Sequence, residues 1–260
     1  MRRLVLKVGS AVLTTKTGKL ATKRLTRLVE LITELKQKSE YDIILVSSGA
    51  VAAGNTVLKL NKSIISNRQA LASIGQPHLM ATYKNRFKKR NIICSQVLLE
   101  KSLFKDNERL RHARDTIDTL LENGVLPIIN ENDVTAVDEL VFGDNDQLSA
   151  YITEHFYSNL LVILTDIDGY YNKNPKIYKN AKLLLNVSKI DECSLDEICS
   201  ANSEFATGGI VTKLRAADYL MKRNKRMFLS SGFNLEVVKE FLMNRNNINE
   251  VRKKGTLFGK

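Results

Sequence analysis

Four short polar clusters in this 260-residue sequence each close or follow an apolar run. They are Lys7-Val8-Gly9-Ser10, Ser47-Ser48-Gly49-Ala50, Asn130-Glu131-Asn132-Asp133 and Thr165-Asp166. A lysine at the end of an apolar strand can reach a phosphate as a point charge, and Gly9 beside it lets backbone N–H groups approach an anion. The bland alternative for Lys7 is a strand-end lysine reaching solvent. Ser48-Gly49-Ala50 opens a helical run that continues to Gly54, so it suits an anion at a helix N-terminus or a simple serine cap. Asn130 to Asp133 is followed at short range by Gly143-Asp144-Asn145-Asp146. Two such stretches can be plain turns. Their density of carboxylates and amides favours a site, because amides hold the polar ends of an amino acid and carboxylates bind an ammonium, orient lysines or hold Mg²⁺ through water. Thr207-Gly208-Gly209-Ile210-Val211-Thr212-Lys213 precedes a helix and can wrap a polyphosphate in backbone amides and a lysine. It is not the Walker pattern, because Leu214 follows Lys213 where Ser or Thr is required. It also lacks the spacing of a dinucleotide fingerprint.

The elements that must position these clusters alternate in type. Short β-branched runs at 4–8, 42–47, 92–98, 125–129, 160–165 and 227–229 read as strands. Amphipathic stretches at 22–38, 76–89, 106–123, 145–156 and 212–223 read as helices, with Gly75 and Pro77 expected to interrupt the helical stretch that begins near Asn67. This alternation predicts an α/β fold with a largely parallel sheet. In such a sheet ligands bind outside the carboxyl ends of the strands, so parallel strands would bring the polar clusters to one edge.

Composition narrows the function classes. Hydrophobic residues make up 43% of the chain, enough for a real core. The apolar runs are too short to cross a bilayer, and the first strand begins at once, so a cytoplasmic location without a signal peptide is expected. Cys94, Cys193 and Cys199 are too few for a disulfide framework, and His78, His112 and His155 lack metal-ligand spacing. The net charge of +12 admits a nucleic-acid-binding alternative, but the basic residues are spread along helices without interleaved aromatics. A solvated lysine-rich surface accounts for them, so neither a nucleic-acid nor a membrane partner is expected.

Taken together, these clusters resemble the glutamate 5-kinases of the amino-acid kinase superfamily. Ala113-Arg114-Asp115-Thr116 and Gly255-Thr256-Leu257-Phe258 also match, so the resemblance runs from about Leu4 to Phe258. The first lysine, the Ser-Gly-Ala turn and the glycine-rich segment are shared with sister kinases. The Asn-Glu-Asn-Asp and Gly-Asp-Asn-Asp pair points to the glutamate 5-kinase branch. The resemblance implies a three-layer αβα sandwich with a mostly parallel central sheet. It implies transfer from ATP, with Mg²⁺, to the side-chain carboxylate of L-glutamate, the first step of proline biosynthesis. By motif, Lys7 and Lys213 contact the ATP phosphates and Asp146 orients them. Gly9, Thr165, Asp166, Thr207, Gly208, Gly209, Ile210, Val211 and Thr212 join them around the nucleotide. Ser48, Asp133 and Asn145 bind glutamate, and Asp144 assists at the substrate or metal. No side-chain motif holds a metal directly. The longer family pattern adds a PUA domain about where this sequence stops, so one kinase domain over 1–260 is expected. The resemblance also implies a homo-oligomer, dimer or tetramer, and a glutamate 5-phosphate reductase as partner for the unstable product. Sister kinases acting on N-acetylglutamate, aspartate, carbamate or a nucleoside monophosphate are the nearest alternative.

Overall fold

The computed structural model describes residues 2–38, 41–136, 145–175, 177–195, 209–243 and 254–260. Among them, eight strands form one sheet in the order β3-β4-β2-β1-β5-β9-β10-β8. These strands are β1 (Arg2–Val8), β2 (Tyr41–Ser47), β3 (Cys94–Leu99), β4 (Leu126–Glu131), β5 (Leu160–Thr165), β8 (Asn186–Val187), β9 (Arg226–Ser231) and β10 (Thr256–Phe258). A small hairpin of β6 (Tyr170–Tyr171) and β7 (Leu183–Leu184) stands apart. Strands β3, β4, β2, β1, β5 and β9 run parallel, and β10 meets β9 antiparallel. The predicted mostly parallel sheet is therefore present.

Successive strand residues face opposite sides, and both sides of this sheet are covered. Leu4, Leu6 and Val8 pack with Leu25, Leu28 and Ile32 of α2 (Thr22–Lys38) and with Leu79, Tyr83 and Phe87 of α4 (Ile65–Lys88). Val5 belongs to the other layer, with Ile117 of α5 (Asn107–Glu122), Ile152 of α6 (Asp146–His155) and Leu214 of α7 (Gly209–Met221). The result is the expected three-layer αβα sandwich. The alternation has a consequence for chemistry. Lys7 shares the parity of Val5 and so points toward the α6 and α7 layer rather than to solvent.

Three local readings change. The strand β4 runs on through Asn130 and Glu131, two residues past the strand end expected at Ile129. Helix α7 begins at Gly209, so the second half of the glycine-rich segment is a helix start rather than a loop. Gly75 and Pro77 do not interrupt α4, which is continuous over Ile65–Lys88 with Pro77 inside it. The reason is a close crossing with α3 (Ala50–Gly54). A Cβ on Gly75 would lie 1.8 Å from the Ala50 carbonyl oxygen, and one on Gly54 would lie 1.8 Å from that of Leu71. The two glycines let backbone meet backbone, and this packing offsets the hydrogen bond that Pro77 cannot donate. The far end of α4 is anchored to β2 by a buried hydrogen bond of 2.8 Å between Tyr83 and Ser47. Gly75→Ala is expected to destabilise the fold by about 3 kcal/mol or more, the upper end for overpacking, because neither contacting group is a flexible side chain. Thermal unfolding checks it, and an unchanged Tm would show that the helices can separate freely.

Candidate active site

Strand β1 lies between β2 and β5, where the sheet order reverses direction, and the polar clusters sit at this carboxyl edge. Two subsites meet there. The first is a buried charge cluster. Lys7 Nζ lies 2.6 Å from Asp146 Oδ1, and Lys213 Nζ lies 3.1 Å from Asp146 Oδ2. Thr212 Oγ1 donates to Asp146 Oδ2 at 2.9 Å, and Lys213 also donates to the Gly209 carbonyl at 2.9 Å. Relative exposure is 1% for Lys7, 0% for Asp146 and 6% for Lys213. Asp146 lies in the first turn of α6, where the helix dipole favours a carboxylate. Two buried ammoniums thus meet at one carboxylate in a dry pocket, an arrangement suited to an anion.

The second subsite is a cavity of about 360 Å³, within the range of small-molecule sites. Ser10, Ser48, Lys62, Arg68, Asn130 and Asp133 contribute to its wall. Gly49, also on the wall, has φ +110°, a conformation that a side chain rarely adopts. Burial, and then the nearby Glu131 carboxylate, push the half-buried Asp133 up to about 6, against an opposing pull from Arg68. Cationic Arg68 and Lys62 beside anionic Asp133 give the cavity both signs of charge, as a zwitterionic amino acid requires.

One pair of adjacent residues joins the subsites. Asn145 immediately precedes α6, yet its side chain does not cap the helix. Its Nδ2 donates instead to Ser48 Oγ at 3.2 Å and to Asn130 Oδ1 at 2.8 Å. Asp146, the next residue, turns to the two lysines. Asn145 is not itself on the cavity wall, but it bonds two wall side chains and is next in the chain to the centre of the charge cluster. Glu131 Oε2 and Asn145 Oδ1 are buried without a partner among the described residues, a cost that a bound donor would relieve.

The remaining candidates fall unevenly. Thr165 ends β5 and Asp166 follows it, with Thr165 Oγ1 donating to Asp166 Oδ1 at 3.1 Å. The Gly9 N–H is spent on the Leu164 carbonyl at 2.9 Å, so Gly9 contributes room rather than its own donor. Ile210 and Val211 turn their side chains into the core, which leaves their backbone N–H groups at the start of α7 as what they can offer an anion. Asp144, Thr207 and Gly208 lie outside the described residues. Arg68, Lys62 and Gln76 were not singled out from the sequence. Arg68 and Gln76 lie on α4 and Lys62 precedes it, in a stretch that carries no motif to mark them. No group of three His, Cys, Asp or Glu among the described residues is placed to hold a metal.

The family model described as "Amino acid kinase family" matches residues 2–230. A glutamate 5-kinase of Wolinella succinogenes is 49% identical over 99% of this chain and 98% of its own length. One of Helicobacter hepaticus is 48% identical over 98% of this chain and 94% of its own. One of Leishmania donovani is 48% identical over 94% and 91% respectively. Among solved structures, UMP kinase from Ureaplasma parvum superposes with a TM-score of 0.65 at 14% identity, covering 100% of this chain and 99% of that one. Carbamate kinase from Giardia lamblia bound to AMP-PNP gives 0.65 at 14% identity, covering 98% of each chain. These two likenesses are of fold.

Proposed function

The chain belongs to the amino-acid kinase family, in its glutamate 5-kinase branch, and from that premise we infer that it transfers the γ-phosphoryl group of ATP to the side-chain carboxylate of L-glutamate. The product is L-glutamate 5-phosphate, and the reaction is the first step of proline biosynthesis. The observation that carries this reading is the Asn145-Asp146 step, which ties the wall of a cavity of mixed charge to a buried, two-lysine anion site.

The nucleophile needs no base. Free glutamate's side chain has a pKa of about 4.3 and is ionised at neutral pH. The obstacle is charge repulsion between that carboxylate and a polyanion. Lys7 and Lys213 offset it. Asp146 holds both ammoniums in place before substrate arrives, so little reorganisation is spent during transfer. A carboxylate oxygen forms a bond to the γ-phosphorus while the bond from that phosphorus to the ADP oxygen breaks, and no proton moves. The start of α7, with Thr212, and the end of β5, with Thr165 and the following Asp166, hold the nucleotide, and by motif Thr207 and Gly208 join them. Ser48, Asn145 and Asp133 hold glutamate, with Asp133 taking its ammonium and Asp144 assisting.

Mg²⁺ fits this site as the companion of ATP. Asp146 is already engaged with Lys7, Lys213 and Thr212, so the metal would sit on phosphate oxygens and water rather than in a protein cage. When bound it supplies further neutralisation of phosphoryl charge. The chain works in the cytoplasm as a homo-oligomeric single kinase domain, and it hands its unstable product to a reductase. No described helix is long and apolar enough to cross a membrane.

ADP release from Mg·ATP with L-glutamate, with hydroxylamine present to trap the acyl phosphate, tests the reading. Aspartate, N-acetylglutamate, carbamate and UMP are run beside it. Glutamate-dependent ADP release with hydroxamate formation is expected, and turnover on another acceptor alone would move the chain to a sister branch.

Asp133 adds a pH signature. Its folded pKa of about 6 lies above the ordinary 3.8, so the ionised form is strained above pH 6 and protonation relieves it. The carboxylate that an ammonium needs is therefore present above that pH and lost below it. We expect kcat/KM for L-glutamate to fall about tenfold per pH unit below 6, because this ratio reports the free enzyme. Asp133→Asn should abolish the inflection and raise KM for glutamate. A wild-type profile that stays flat from pH 7 to 5 would remove Asp133 from ammonium recognition.

A further inference from the structure

Two cavity-wall side chains, Ser48 and Asn130, belong to a hydrogen-bonded relay of side chains that reaches the edge of the sheet. Gln76 of α4 donates through Nε2 to Gln96 Oε1 of β3 at 3.3 Å. Its own Oε1 accepts from Asn130 Nδ2 at 3.1 Å. Asn130 Oδ1 accepts from Asn145 Nδ2 at 2.8 Å, and the same Nδ2 donates to Ser48 Oγ at 3.2 Å. Gln76, Asn130, Asn145 and Ser48 are all at least nine-tenths buried.

A primary amide has two N–H donors at one end and acceptor lone pairs at the other. Gln76 thus fixes which end of Asn130 faces which neighbour, and Asn130 fixes Asn145. The direction of the relay decides what remains for a ligand. Asn130 has spent its oxygen on Asn145 and one N–H on Gln76, which leaves its second N–H. Ser48 has accepted from Asn145, which leaves its O–H to donate. Both residues line the cavity, and both are left with a donor to offer. A wall of aligned donors suits a carboxylate, since charge-assisted hydrogen bonds are about twice as strong as neutral ones. Reversing the Gln76 amide would turn an N–H toward Asn130 Nδ2 and break the sequence of bonds.

We propose that Gln76 is a positioning residue for substrate: through Asn130 and Asn145 it orients Asn130 and Ser48 as donors to a carboxylate of the bound amino acid. The inference rests on the reading that this cavity holds the amino-acid substrate. Gln76 touches neither substrate nor the lysines in this scheme. Its loss should therefore weaken glutamate binding far more than nucleotide binding or turnover.

The test is steady-state kinetics of purified full-length Gln76→Met, Gln76→Glu and Gln96→Leu with L-glutamate and ATP, beside thermal unfolding. Gln76→Met fills the same space without an acceptor, and KM for glutamate should rise about tenfold or more while KM for ATP and kcat change less than about threefold. Gln76→Glu keeps an acceptor toward Asn130 and should recover most of the glutamate KM, which a purely structural role would not predict. Gln96→Leu lies on the exposed face of the edge strand β3 and frees the Gln76 amide to turn. It should raise KM for glutamate by a few-fold, and it supplies the readout if Gln76→Met does not fold. An unchanged glutamate KM in the folded variants, or a parallel rise in both Michaelis constants, would overturn the proposal. Wild-type enzyme inactive on glutamate would instead sink the functional reading beneath it.

Discussion

Lys7→Ala is expected to lower kcat by about 10²–10³-fold, the effect of removing one preorganised charge donor from a transition state. The size follows from where Lys7 sits. It is 1% exposed and held 2.6 Å from Asp146, so its ammonium is desolvated and already aimed. Water cannot replace it at once, because burial in the α6 and α7 layer excludes solvent from the gap. Its attraction for the phosphoryl oxygens acts when charge spreads over them, so the loss should appear in kcat. KM for glutamate should change by only a few-fold, since Lys7 is not part of the cavity wall. Lys7→Arg is not expected to rescue activity. A planar guanidinium needs more room than a fully packed site offers, and it cannot mimic a point charge. Measured kcat within threefold of wild type for Lys7→Ala would exclude this lysine from the chemistry.

Asp146→Asn should act on stability as strongly as on activity. The wild-type cluster joins two ammoniums through one carboxylate that is 0% exposed. Replacing that carboxylate by an amide removes the negative charge that both buried ammoniums share. Breaking a buried pair in this way costs about 3–5 kcal/mol. The lysines would also lose the geometry that Asp146 imposes on both, so kcat should fall with the stability. A polyanion can stand in for the missing carboxylate. Saturating ATP should therefore raise the Tm of Asp146→Asn by more than it raises that of wild type, because ligand that binds only the folded state stabilises it. Thermal unfolding with and without ATP reads both effects. An Asp146→Asn protein with wild-type Tm, or one that gains no more from ATP than wild type does, would show that the two lysines do not depend on this carboxylate.

These expectations differ in how far the sequence alone supports them. The strands β1, β2 and β5 were legible because they are buried on both faces and read as unbroken apolar runs. Lys7 stood out because it closes such a run beside Gly9, where a lysine can reach a phosphate. From local composition its partner was legible only as a cluster of carboxylates at 144–146, and it was the family resemblance that singled out Asp146. The boundary of β4 was missed for a related reason. Asn130 and Glu131 are turn-forming or polar residues by composition, and only the pairing of Leu98 with Asn130 and Leu99 with Glu131 keeps them in the strand. The continuity of α4 was hidden because Gly75 and Pro77 read locally as breakers. Their tolerance is decided by α3, which crosses close enough to need a residue without a side chain.

The sequence by itself determined the layer architecture, the placement of polar clusters at strand ends and the family to which the chain belongs. These follow from local periodicity and from motifs whose residues are near neighbours in the chain. Tertiary structure decided which of those residues touch. Lys7 and Asp146 are 139 positions apart, Asn145 and Ser48 are 97 apart, and Gln76 meets Asn130 across 54. Contacts of that separation depend on strand order and on the face each side chain takes. Both are set by packing two helical layers against one sheet, a global constraint that no local window of sequence carries.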